Sequence, residues 1–259
     1  MKKRRGIRIL GQILCLIVLS GLVPLQANAE TAGTCGPALK WTLSGDGLLT
    51  ITGKGKMDNG AFSLRTDIKD VVIGEGVTTI GDYAFLSCTE LRTVVLPESL
   101  TSIGAEAFNN CYSLTGITIP ENVTWLGSKA FRECRSLENV MIPEGVTEIR
   151  DHTFYRCSSL LSASIPEGVT GIGIQAFGDC GYLTEIVLPE TLLSVAMSAF
   201  SGCSSLETVI IPNGDAVLDY WVFSDCGSGL TIYCPAGSRV DQYARDNGIR
   251  TEALDTAGR

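Results

Sequence analysis

Two residue types recur in this 259-residue chain at a spacing that could do chemistry, and a third occurs once. Seven of its ten cysteines, Cys88, Cys111, Cys134, Cys157, Cys180, Cys203 and Cys226, stand 23 residues apart. Six glutamates, Glu75, Glu98, Glu121, Glu144, Glu167 and Glu190, keep the same step, and there is one histidine, His152. Stacked one per turn at about 4.8 Å, such thiols are within bridging reach. Each, however, sits at the same apolar position of its unit, so they read as buried, inert, small hydrophobes. Cys35 and Cys234 fall outside the ladder, at opposite ends, and no bond between them is expected. The glutamates read as solvated turn residues. A row of carboxylates repels by only about 0.9 kcal/mol per neighbouring pair in water-like surroundings. A weak divalent-cation stripe is the sharper alternative, but no D-x-D-x-D-G loop supports it. His152 shares its place with Tyr83, Glu106, Lys129, Gln175, Ser198 and Trp221, which marks a variable outward position. No nucleophile or metal partner converges on it, and Gly53-Lys54-Gly55-Lys56 lacks phosphate-loop spacing. We expect no catalytic residue, no metal site and no cofactor, and therefore no enzyme.

What positions these residues is a repeat. Phe85, Phe108, Phe131, Phe154, Phe177, Phe200 and Phe223 form a ladder with the step of 23. Leu91 to Leu206 and Pro97 to Pro235 form two more. Seven units tile 71–231, each close to V-x-I-P-E-x-V-T-x-I-G-x-x-A-F-x-x-C-x-x-L. The L-x-x-V-x-L stretch alternates as a short strand with two side chains inward. Proline ends it, having no N–H for the ladder. Val-Thr-x-Ile-Gly supplies a second extended piece, and Ala-Phe-x-x-Cys turns the chain back. One unit buries too little apolar surface to offset the ordering of its backbone, so only the stack is stable. A slip of one residue would misalign every ladder, which holds the spacing fixed while the outward letters drift.

The ends carry other signals. A basic start, MKKRRGIRIL, precedes an apolar run and Ala27-Asn28-Ala29, which reads as a signal peptide over 1–29. Its removal takes the net charge from −8 to −13. An acidic exported chain suits neither nucleic acid nor anionic lipid, and no second long apolar run exists for membrane insertion of the mature chain. Residues 30–70 are expected as an N-terminal β-hairpin cap, turning at Ser44-Gly45-Asp46-Gly47. Residues 232–250 are expected as a C-terminal cap with a short helix capped by Ser238 and stopped by Gly248, and 251–259 as a polar tail.

Two outward columns remain on the first strand. Thr93, Gly116, Asn139, Ser162, Glu185, Thr208 and Thr231 make one. Val95, Thr118, Met141, Ser164, Val187, Ile210 and Tyr233 make the other, which is apolar for a solvated surface. On a curved solenoid both would line the concave face. The ligand face is therefore expected at Thr93, Val95, Thr118, Asn139, Met141, Ser164, Glu185, Val187, Thr208, Ile210 and Tyr233, set against the plain β-propensity of strand positions.

The unit I-P-E-G-V-T-x-I-G-x-x-A-F-x-x-C-x-x-L resembles the BspA-like class of bacterial leucine-rich repeats. The entry segment Thr34-Cys35-Gly36 to Gly53-Lys54-Gly55 and the exit segment Cys234-Pro235-Ala236-Gly237-Ser238 to Gly248-Ile249 are similar to the modules flanking such repeats. The resemblance implies a β-rich solenoid, a right-handed leucine-rich-repeat superhelix of seven 23-residue units with an N-terminal β-cap and a short helical C-cap. It also implies a secreted or cell-surface protein that binds an extracellular protein or glycan without catalysis, and a monomer is expected. The alternative is a structural, self-assembling cell-envelope protein.

Overall fold

The computed structural model describes residues 29–254, so the expected signal peptide up to residue 28 lies outside the described residues. The chain winds into a solenoid whose turns share three walls.

The first wall is built by the L-x-x-V-x-L strands. These are β3 (Leu48–Gly53), β5 (Asp70–Ile73), β7 (Thr93–Val95), β9 (Gly116–Ile117), β11 (Asn139–Met141), β13 (Ser162–Ser164), β15 (Glu185–Val187), β17 (Thr208–Ile210), β19 (Thr231–Cys234) and β20 (Arg250–Ala253). Neighbours pair in parallel, with breaks between β9 and β11 and between β13 and β15, and in the pairs from β5 to β19 each residue meets the one 23 positions on, as Val71 meets Val94 and Ile186 meets Val209. The second wall comes from the Val-Thr-x-Ile piece: β4 (Gly55–Lys56), β6 (Val77–Ile80), β8 (Ser102–Ile103), β10 (Trp125–Leu126), β12 (Glu148–Ile149), β14 (Gly171–Ile172), β16 (Ser194–Val195) and β18 (Val217–Leu218). Between the walls the Pro-Glu turn closes on itself, with the amides of Leu100, Val123 and Val146 donating to the carbonyls of Pro97, Pro120 and Pro143.

The third wall is a ladder of turns over Ala-Phe-x-x-Cys. Every second amide donates to the next turn: Tyr83 to Ala105, Phe85 to Ala107 and Ser87 to Asn109, all at 2.7–2.8 Å. This alternation needs two left-handed residues per turn, two before and two after each phenylalanine. Tyr83, Glu106, Lys129, His152, Gln175, Ser198 and Trp221 occupy the first place with φ between 49° and 59°. Asn110, Glu133, Arg156, Asp179 and Asp225 are among those at the second. A left-handed residue other than glycine costs about 1–2 kcal/mol. Here the hydrogen bonds between turns hold it in place.

The core is a column of rings. Phe62, Phe85, Phe108, Phe131, Phe154, Phe177, Phe200 and Phe223 stack with centroids 5.2–5.6 Å apart. The column thus begins one turn before the expected seven units. Phe62 and Ile68 are buried, and β3 already pairs in parallel with β5. Within 30–70 only β1 (Ala29–Gly36) and β2 (Leu39–Ser44) act as the cap, with antiparallel pairing onto β3. Trp41 of β2 closes the ring column edge-on, 5.7 Å from Phe62. The turn between β2 and β3 needs Gly47, at φ 95°, whose amide donates to the Ser44 carbonyl.

At the other end Ser238 caps α1 (Arg239–Asp246), accepting from the Asp241 amide, and Gly248 follows at φ 68°. The chain then returns as β20 beside β19, so residues 251–253 lie in a strand where a polar tail was expected. Asp241 ties this end together. Its carboxylate accepts from the Gly237 amide, the Thr251 hydroxyl and the Arg245 guanidinium. These bonds hold its carboxyl below the usual value, with the Gly237 amide the largest cause.

Candidate functional site

The cysteine ladder lies inside the third wall. Each thiol donates to the carbonyl of the phenylalanine 26 residues earlier, from Cys88 to Phe62 through Cys226 to Phe200, at 3.2–3.3 Å. All nine described cysteines are free. Burial pushes every ladder thiol up, Cys88 and Cys226 to about 12, which leaves the nucleophilic thiolate scarce at neutral pH. Cys226 alone among the seven is half-buried.

The glutamate row is less idle than its expected solvation. Glu75 accepts the amides of Glu98 and Ser99, and Glu167 accepts the amide of Glu190. These carboxylates bind the next turn. Among the described residues no group of three or more His, Cys, Asp or Glu side chains is placed to hold a metal ion.

His152 differs from its expected outward position. Its left-handed backbone lays the ring half-buried against Tyr155, with Nε2 3.0 Å from Gln175 Oε1. Nδ1 is buried and has no partner among the described residues. Among the described residues no carboxylate is hydrogen-bonded to the ring, so the arrangement is not that of an acid–base pair.

A charged network occupies the same wall one turn earlier. Glu133 is buried and meets Arg135 at 2.5 Å, Arg156 at 3.4 Å and Arg132 at 3.5 Å. Arg156 also meets Asp179 at 3.1 Å. The guanidiniums of Arg135 and Arg156 lie over Tyr112 and Tyr155. Burial alone would raise the Glu133 carboxyl, but the arginines outweigh it and hold it below its usual value.

The strand-face columns are where the sequence puts a ligand. Thr93, Thr118, Asn139, Ser164 and Glu185 are exposed, as is Met141 at 70% and Val187 at 48%. Val95, Thr208, Ile210 and Tyr233 are half-buried, and Thr231 is buried. Strand pairing sets Val187, Ile210 and Tyr233 side by side. Thr93 donates to Asp70, and Ser162 to Asn139, along the polar column.

Sequence reading by strand columns missed a second surface. Where β18 meets α1, a cavity of about 540 Å³ is lined by Asp219, Tyr220, Trp221, Tyr243 and Asn247. Tyr220 is 74% exposed and Trp221 62%. The signal was available in the turn columns, since Ile174, Met197 and Tyr220 follow Asp82, Ala105, Ser128 and Asp151 at one position.

The family model for the BspA type leucine rich repeat region matches in six copies, over residues 55–181 and 147–244. No curated protein matches the chain in sequence. Similar solved structures include a leucine-rich repeat protein from Bacteroides ovatus, 21% identical over 76% of this chain and 70% of that one, with a TM-score of 0.45. The T. pallidum leucine rich repeat protein is 22% identical over 85% and 98%, with a TM-score of 0.44. A leucine rich cell surface protein from Faecalibacterium prausnitzii is 20% identical over 87% and 99%, with a TM-score of 0.38. Scores this low leave the family model to carry the assignment. With its repeats matched over most of their length, this chain belongs to the BspA-type leucine-rich-repeat family.

Proposed function

We propose that this chain is a secreted or cell-surface recognition protein that binds an extracellular protein or glycan on its strand wall, without catalysis. The observation that carries the reading is the stripe of Val187, Ile210 and Tyr233, adjacent by strand register on an outward face. Apolar side chains in register on an open sheet gain from being covered, which is what a binding face offers. Ten parallel strands at about 4.8 Å make that face about 40 Å wide, enough for an extended partner. A basic start and small-residue cleavage site favour export, and the net charge disfavours nucleic acid.

Binding of the mature chain to matrix proteins, mucins and glycans tests this, beside a folded variant with Val187→Lys, Ile210→Lys and Tyr233→Lys. A partner lost by the variant places recognition on the strand wall. Equal binding by both moves the site elsewhere. If no partner binds and size-exclusion shows concentration-dependent assembly, the envelope-structural reading replaces recognition.

A further inference from the structure

The last turn departs from its predecessors on the outside. At one column Asp82 and Asp151 each accept the amide of the following turn, Ala105 at 2.7 Å and Ile174 at 2.8 Å. From Ile174 onward that column is apolar, and Met197 and Tyr220 reach solvent. Trp221 stands beside them with its backbone left-handed, at φ 58°. The other two tryptophans have neighbours over their rings. Phe62 and the Arg65 guanidinium cover Trp41, and the Arg150 guanidinium lies 3.8 Å over Trp125. The ring of Trp221 meets Tyr220 at 6.2 Å and 52°. Aromatic residues that merely sealed the solenoid end would be buried, and these two are mostly exposed.

The backbone supplies an independent observation. At Trp221's place the six preceding turns all donate their amide to the next turn, from Tyr83 to Ala105 through Ser198 to Tyr220, at 2.8–3.2 Å. Beyond Trp221 the ladder has no further turn, and among the described residues its amide meets no acceptor. Two further residues line the same cavity. The Tyr243 hydroxyl accepts from the Val222 amide at 3.2 Å, so its own proton is left to donate. Asp219 uses one carboxylate oxygen on the Tyr220 amide, at 2.7 Å.

Flat rings beside an N–H, an O–H, a carboxylate and the Asn247 amide match one chemistry, that of a pyranose. A sugar ring has an apolar C–H face and an edge of hydroxyls that both donate and accept. The cavity lies within the roughly 300–1,000 Å³ span of small-molecule sites. We propose that this groove binds a neutral pyranose at the end of a glycan. Tyr220 and Trp221 lie against its C–H face, while the Trp221 amide and Asp219 take its hydroxyls. Asp219 and the acidic chain select against sialylated or sulfated sugars. The proposal rests on the recognition reading above and gives it a second site, apart from the strand wall.

The test is calorimetric titration of the mature chain with glucose, galactose, mannose and N-acetylglucosamine, with sialyllactose and heparin as anionic arms. Trp221→Asn removes the ring with a residue that tolerates the left-handed backbone. Millimolar binding of one neutral sugar is expected, weakened about tenfold or more in W221N and in Asp219→Ala. Circular dichroism checks that both variants fold. No neutral sugar bound at tens of millimolar, equal binding by W221N, or a preference for the anionic arms would each overturn the groove site. If the triple lysine variant loses the sugar and W221N keeps it, the groove fails while strand-wall recognition stands. The reverse pattern supports the groove, and the strand wall is then judged by the partners of its own binding panel.

Discussion

The turn built on Phe131 and the turn built on Phe223 share a backbone and differ outside. Glu133 and Asp225 occupy the same place, at φ 59° and 57°. In the middle turn Glu133 is buried among three arginines, all of which lie over tyrosines, and Cys134 is sealed. In the last turn Cys226 is half-buried, and Tyr220 and Trp221 lie mostly in solvent. The period dictates the interior and the hydrogen bonds between turns. It leaves the outward positions free, and the middle of the molecule uses them to hold itself together while the end leaves them open. Function in such a chain is to be sought where a turn departs from its neighbours.

Four changes would break or sharpen this contrast. The largest effect is expected in the ring column. Phe131→Ala removes a ring packed on both sides and should cost about 3–5 kcal/mol by denaturant unfolding, whereas Phe223→Ala, with one ring neighbour, should cost less. Equal costs would mean that the last turn is as tightly packed as the middle one. Thiol protection comes next. Under native conditions Cys226 should alkylate about a hundredfold faster than Cys134, read by mass spectrometry, because Cys134 is reached only by unfolding. Both should remain slow compared with an exposed thiol, since burial holds them protonated.

Glu133→Gln should cost about 2 kcal/mol, and Asp225→Asn close to nothing, since only the former leaves arginines without their buried partner. The Glu133 carboxyl is held below its ordinary 4.5. Its contribution is therefore fully present above pH 4.5 and is lost as pH falls through the depressed value. Acid titration of stability should show this loss in the parent and lack it in E133Q. The smallest effect concerns Leu64, which is 71% exposed and left-handed at φ 65°. Leu64→Asn should stabilise by about 0.5–1 kcal/mol, seen as a higher melting temperature, because asparagine tolerates that backbone.

Much of the fold was legible because it is written in side-chain type. The Phe, Cys, Leu and Pro ladders give the unit, its strands and the side chains that face inward. The first turn escaped because Arg65 stands where the ladder places cysteine, although Ala61-Phe62 and Ile68 keep the period. Strand β20 escaped because Arg250-Thr251-Glu252-Ala253 is polar, and its pairing with β19 comes from tertiary position rather than from pattern. The left-handed ladder was hidden for a different reason. Tyr83, Lys129 and Gln175 have no intrinsic preference for that backbone and are held there by hydrogen bonds to the next turn. The aromatic groove needs the meeting of β18 with α1, which no spacing in the chain announces.

The register of 23 has a consequence for how such genes change. Because each strand residue pairs with its counterpart one unit on, a whole unit duplicated between Phe131 and Phe154 would meet matching neighbours on both sides. A gain of 22 or 24 residues would set every later ring, thiol and strand out of step. Unequal recombination within the coding sequence therefore yields folded offspring in whole-unit lengths, and relatives should differ by numbers of turns more readily than by loops between them.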